Sequence, residues 1–147
     1  MQRKVHTTRM NWVVQPMALY NMLHQFNRYK NLGRIFVTEN GAAFHDQVTD
    51  HVVHDPERIH FLQQYIAAMH LAKEEGVSVD GYFVWSFTDN FEWSEGYEPR
   101  FGLVYVDYHT QKRIVKSSGM WYSRLIGGMG SSEFEKGRES TSGIHLY

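Results

Sequence analysis

Apolar positions along this chain alternate between two rhythms. Pro16 suits the first turn of a helix, and Leu19, Tyr20, Leu23 and Phe26 then recur at helical spacing, with Gly33 the expected stop. The short apolar run Arg34-Ile35-Phe36-Val37 predicts a strand from Ile35 to Thr38. Ala42 to His54 is polar, rich in His and Asp, and reads as a loop. Asp55 and Pro56 then supply an N-cap and a first helical residue, and Glu57 places negative charge near the helix amino end. Ile59, Leu62, Ile66 and Met69 give this second helix an apolar stripe that Gly76 ends. Val77 to Phe87 leads into and contains a second strand, and Thr88 to Arg100 is a long loop. Phe101 to Val106 is a short extended piece, and Lys116 to Ile126, with Trp121, Tyr122 and Leu125, is a final helix.

Helix, strand, helix, strand, helix is the order of βα units, so the expected class is α/β with parallel strands. From Gly127 the character changes. Gly127-Gly128-Met129-Gly130-Ser131-Ser132 reads as a linker and Glu133 to Ser142 is polar without a period, which sets residues 127–147 apart as a flexible polar tail.

The candidate chemistry sits at the ends of the two strands. Thr38-Glu39-Asn40-Gly41 puts a carboxylate and a glycine turn at the carboxyl end of the first, where barrels and open sheets carry their active residues. The second strand runs into Trp85-Ser86-Phe87-Thr88-Asp89-Asn90-Phe91-Glu92-Trp93, with two indoles and two carboxylates. Carboxylates with flat rings suit a sugar: acids to break an acetal, rings to stack on the C–H faces of a pyranose. Each residue has a plainer reading too. A strand-end glutamate is often a solvated ion pair, and aromatic rings more often fill cores. Asp89 and Asn90 are expected to shape their loop through backbone hydrogen bonds.

Four blocks in order add a resemblance. Ile35-Phe36-Val37-Thr38-Glu39-Asn40-Gly41-Ala42 resembles the nucleophile strand of glycoside hydrolase family 1, the β-glucosidases and β-galactosidases built on a (β/α)8 barrel. His54-Asp55-Pro56-Glu57-Arg58-Ile59 resembles the helix opening that follows. Trp85 to Trp93 resembles the last barrel strand and sugar-binding loop, and Arg100-Phe101-Gly102-Leu103-Val104-Tyr105-Val106-Asp107-Tyr108 the segment after it. The resemblance extends from about Trp12 to Ile126. It implies a partial (β/α)8 barrel over residues 1–126, covering the last two strands and their helices. It also implies Glu39 as nucleophile, Glu92 as the carboxylate holding glycone hydroxyls, Trp85 as the platform under the sugar ring and Trp93 as an indole donor. Phe101 is implied as a pocket wall, with core filling an equal alternative. The family's acid/base glutamate lies in an Asn-Glu-Pro motif, and none occurs here.

The length of 147 residues sharpens that reading, because a full barrel takes about 250. The remainder of a barrel, or further copies of the chain, are the expected partners beside a β-glucoside or oligosaccharide substrate. A non-catalytic carbohydrate-binding or self-assembling barrel fragment is the other reading. A net charge of −1 gives no electrostatic case for nucleic acid or an anionic membrane. Cysteine is absent, which excludes disulfides and thiolate metal sites. Nine histidines form no H-E-x-x-H set, and neither metal nor cofactor is expected. No apolar run approaches the ~18 residues of a membrane span, and the expected location is cytoplasmic.

Overall fold

The computed structural model describes residues 6–129 except Lys30. Helix α1 (Pro16–Asn27) precedes strand β1 (Ile35–Asn40). A small antiparallel hairpin, β2 (Val48–Thr49) and β3 (Val52–Val53), leads to the long helix α2 (Pro56–Glu74). Strand β4 (Val79–Val84) follows, then a second antiparallel hairpin, β5 (Val104–Val106) and β6 (Arg113–Val115), and helix α3 (Ser117–Arg124). β1 and β4 are parallel neighbours joined through α2, which packs against α1, α3 and β4. This is the βαβ crossover that the spacing of elements predicts. No helix among the described residues is long and apolar enough to cross a membrane.

The helices form where expected for reasons local to the sequence. Both α1 and α2 open on a proline, whose missing N–H costs nothing in the first turn. Ala67, Ala68 and Ala72 favour helix in the second half of α2. Gly76 stops it with φ of 95°, which a residue with a Cβ seldom adopts. The core has two lobes. Ala42, Phe44, Phe61, Leu62, Ile66, Leu103 and Trp121 make one, and Leu19, Leu23, Ala72, Val77 and Val79 the other. Tyr65, Met69 and Tyr82 pack against both and join them.

Several boundaries differ from expectation. α1 ends at Asn27, well before Gly33, and Phe26 is exposed, so only Leu19 and Leu23 of its stripe are buried. The first strand runs two residues past Thr38, through Glu39 and Asn40. The polar segment after it is not purely loop, since Val48–Thr49 and Val52–Val53 pair across a turn in which Asp50 and His51 both take positive φ. The extended piece at 101–106 is half of a hairpin whose partner β6 carries no strong apolar alternation. After α3 the backbone continues in a wider π turn, Leu125–Met129, broken by Gly128 at φ 78°. The polar tail expected from 127 lies, beyond Met129, outside the described residues.

Asp55 occupies the N-cap position of α2, yet its side chain does not cap the helix. It accepts from Arg58 Nη1, from the Ser118 backbone N–H at 2.8 Å and from Ser118 Oγ at 2.5 Å, tying the starts of α2 and α3 together. Arg58 is buried and also donates to both oxygens of Asp46, at 3.1 and 2.9 Å, and to the Arg100 carbonyl. Lys116, equally buried, spans Asp46 at 2.5 Å and Asp89 at 2.8 Å. A charge removed from such a network leaves its partners buried and unpaired, which costs about 3–5 kcal/mol. Arg58→Met, close in volume and uncharged, is therefore expected to lower unfolding stability by that amount in urea titration. A loss below about 1 kcal/mol would show the network to be dispensable.

Candidate active site

β1 and β4 run parallel, so their carboxyl ends lie side by side, and the candidate residues gather there. Asn40 pairs with Val84, and the next residue of β4's chain, Trp85, donates its backbone N–H to the Asn40 carbonyl at 3.0 Å. Glu39 stands exposed at the end of β1, one residue before this junction. Trp85 is 37% exposed, and the peptide bond that follows it is cis.

The approach of the two chains here is unusually close. A Cβ on Gly41 would fall 1.6 Å from the Trp85 carbonyl oxygen, so no other residue fits at that position without moving the tryptophan. This gives the glycine of Thr38-Glu39-Asn40-Gly41 a physical role. It lets the strand that carries Glu39 press against the backbone of Trp85.

Beyond Trp85 the chain turns along the segment from Phe101 to Val104. Ser86 N–H donates to the Phe101 carbonyl at 3.3 Å, Leu103 N–H to Ser86 at 2.9 Å and Val104 N–H to Phe87 at 2.9 Å. Asp89 anchors the loop from inside. Its buried carboxylate accepts from Gly102 N–H at 2.9 Å, Val106 N–H at 3.3 Å, Arg100 at 3.1 Å and Lys116 at 2.8 Å. Asn90 donates to Ser86 Oγ at 2.9 Å. These bonds give Asp89 and Asn90 the loop-shaping task expected of them.

Glu92 and Trp93 lie on the outer part of the same loop. Glu92 N–H and the Gly96 carbonyl close a tight turn at 2.7 Å around a short 3₁₀ segment, Trp93–Glu95. Trp93 holds a left-handed φ of 45° and is 83% exposed. Phe91 packs edge-on against Tyr97, which leans on Tyr108, and Arg100 lies over the Tyr108 ring at 4.4 Å. Phe101 is placed differently from the others. Its ring is 2% exposed and packs against Trp12 at 6.0 Å, so in this chain it offers no free face.

The structure therefore places Glu39 one residue from the backbone junction that Asn40 and Gly41 make with Trp85. Glu92 and Trp93 are carried on the loop that leaves the same end of the sheet. Tyr82 is a participant that patterning did not reveal. It packs in both lobes of the core and its hydroxyl donates to Asn40 Oδ1 at 2.5 Å, while burial, followed by the nearby hydroxyls of Tyr122 and Tyr65, raises its pKa. Lys116 is another. Burial and the nearby Arg58 push its pKa down, against the opposing pull of Asp46 and Asp89. Among the described residues no group of His, Asp or Glu is arranged to hold a metal. His51 sits in the β2–β3 turn, and His54 Nδ1 lies 3.2 Å from Ser117 Oγ.

Fold and site define a pair of βα units with carboxylates and indoles at the carboxyl end of their strands. The sequence matches the Glycosyl hydrolase family 1 model over residues 1–130, and the chain belongs to that family. It is 49% identical over 130 residues to Beta-glucosidase A of Thermotoga maritima, covering 88% of this chain and 29% of that protein. A 6-phospho-beta-galactosidase of Leptotrichia buccalis is 40% identical over 119 residues, covering 80% of this chain and 26% of that protein. The solved family 1 β-glucosidase of Thermotoga maritima superposes with a TM-score of 0.82 at 48% identity, over 86% of this chain and 29% of that structure. The chain thus spans less than a third of the relatives it matches, which accounts for two parallel strands in place of a closed ring.

The Gly41 contact yields a direct test. Gly41→Ala is expected to displace Trp85, costing about 1–3 kcal/mol through overpacking and changing the near-ultraviolet circular dichroism of the indoles. An unchanged spectrum with unchanged stability would contradict the close approach.

Proposed function

We propose that this chain is the part of a retaining β-glycosidase, β-glucosidase-like, that carries the nucleophile. The observation that supports this reading is the placement of Glu39 at the strand end beside Trp85, within a family 1 sequence. In this reaction a carboxylate attacks the anomeric carbon and forms a glycosyl ester. A second carboxyl group about 5–5.5 Å away protonates the departing oxygen and then activates water to release the sugar. Glu39 takes the first role. The second belongs to the Asn-Glu-Pro glutamate of the family, a motif this sequence lacks. Trp85 supplies a ring for the sugar's apolar face, Glu92 accepts from a pair of its hydroxyls, and Trp93 donates from its indole N–H. Phe101 serves as a wall only through the residues it supports, since its own ring is buried.

The glycone in this reading is a neutral hexose such as glucose. A carboxylate at Glu92 repels a 6-phosphate, and the Ser and Lys pair that serves phosphate in the family's phospho-glycosidases has no counterpart beside it. By itself the chain binds sugar weakly and turns it over negligibly. Acid catalysis alone is worth about 10²–10⁴-fold, and the positioning groups of the rest of a barrel add to that.

An activated 2-fluoro-glucosyl fluoride separates nucleophile from acid, because its leaving group needs little protonation. Mass spectrometry is expected to find a slow covalent label on Glu39, absent from Glu39→Gln, and no label from the 6-phosphorylated analogue. A label on another residue, or one that survives Glu39→Gln, would remove Glu39 from the role. Rapid turnover of ordinary β-glucosides by the isolated chain would overturn the division of labour.

A further inference from the structure

Strict alternation along β1 points Glu39 the wrong way. Ile35 and Val37 face the helices, packed in the second lobe of the core, while Phe36 faces the opposite side at 48% exposure. A period of two then sends Thr38 outward, Glu39 in toward the helices and Asn40 outward. The observed exposure departs from this at one place: Thr38 and Glu39 are both exposed, and Asn40 is the half-buried residue whose side chain meets the helix-facing Tyr82. Pairing with β4 gives the cause. Val37 pairs with Tyr82 and Asn40 with Val84, so three steps on β1 match two on β4, and Thr38 and Glu39 together oppose Phe83. This is a β-bulge, a device that is rare between parallel strands and re-aims side chains beside active sites.

We propose that the bulge at Thr38–Glu39 turns Glu39 onto the face it shares with Phe83 and Trp85, and that Tyr82 is the positioning residue that locks it. The proposal rests on Glu39 being the working carboxylate. A bulge leaves its extra residue unpaired, so the ladder must be re-fastened immediately after it. Asn40 is fastened twice, by the Tyr82 hydroxyl on its side chain and by Trp85 N–H on its carbonyl. The tyrosine is itself anchored, its ring packed against both lobes of the core and its backbone carbonyl accepting from Tyr122 Oη at 2.9 Å. The hydroxyl thus connects the rigid core to the residue next to Glu39. Losing it frees the bulge to slide by one position, which would carry Glu39 to the helix side.

Tyr82→Phe removes the hydroxyl and keeps the ring. In the ¹⁵N-labelled chain, amide exchange at Trp85 is expected to accelerate about fivefold, the effect of one lost hydrogen bond, and the order parameter of Glu39 to fall below about 0.6. Glu75 and Gly76, whose amides donate to Leu71 and Lys73 at the far end of α2, should keep their rates. Tyr65→Phe removes a hydroxyl from the same core junction without touching Asn40 and should change neither readout. Asn40→Ala deletes the acceptor without altering the core, should reproduce the Tyr82→Phe result, and should make the second substitution redundant. Unchanged exchange at Trp85 in both Tyr82→Phe and Asn40→Ala would overturn the lock, as would equal changes in Tyr65→Phe. None of these measurements needs activity, so the lock can fail while Glu39 still labels, and hold if it does not.

Discussion

The arrangement of this chain depends on a buried set of charges at the meeting point of its loops. Asp46 follows β1, Asp89 lies in the loop after the second strand, Asp55 and Arg58 open α2, and Lys116 opens α3. Three carboxylates face three cations, Arg58, Lys116 and the partly buried Arg100. Burial of that many charges repays its desolvation only when each is paired and hydrogen-bonded, so the network tolerates few alternative geometries. Lys116 joins positions 70 and 27 residues away through one ammonium group. With the Phe44–Arg100 bridge, it ties the segment leaving Glu39 to the loop that holds Glu92 and Trp93. Apolar packing of the same volume would permit sliding that directional ion pairs do not.

Above this anchored base lies a surface the chain does not cover. Phe36 and Phe83 project from the face of the β1–β4 pair away from the helices, and Phe83 is 57% exposed. Phe87, Phe91 and Trp93 extend the same apolar character into the loop. An apolar area of this kind on a free chain favours association, as do the unpaired outer edges of two parallel strands. Both features follow from a chain that corresponds to less than a third of its relatives, in which further strands would flank the pair. The stability of the described part therefore comes from the two lobes of the core on the helix side of the sheet and from the charge network where its loops meet.

Much of this was legible in the sequence. The apolar rhythm located α1, β1, α2, β4 and α3, because each buries one stripe or face and the periods 3.6 and 2 record it. The strand-end position of Glu39 and the indole-rich loop after the second strand were equally visible. The β5–β6 hairpin and the β2–β3 turn were harder to see. Their strands are two or three residues long, too short to show a period, and residues distant in sequence help hold them. Gly33 misled for a related reason, since α1 ends at Asn27, within a turn of its last buried residue, Leu23, and not at the next glycine.

The sequence by itself determined the order of the helices and the two parallel strands, the membership of the family and which carboxylates and rings stand at the strand ends. These depend on local periodicity and on residue types read one after another. Only the tertiary structure decided which way those residues point. Alternation counted along β1 turns Glu39 toward the helices, whereas in the pairing with β4 two residues share one partner's place and Glu39 is exposed. The same holds for Asp55, which patterning makes a helix cap and packing makes the acceptor of Arg58 and Ser118. Register and partner choice are properties of two chain segments at once, so neither segment alone encodes them.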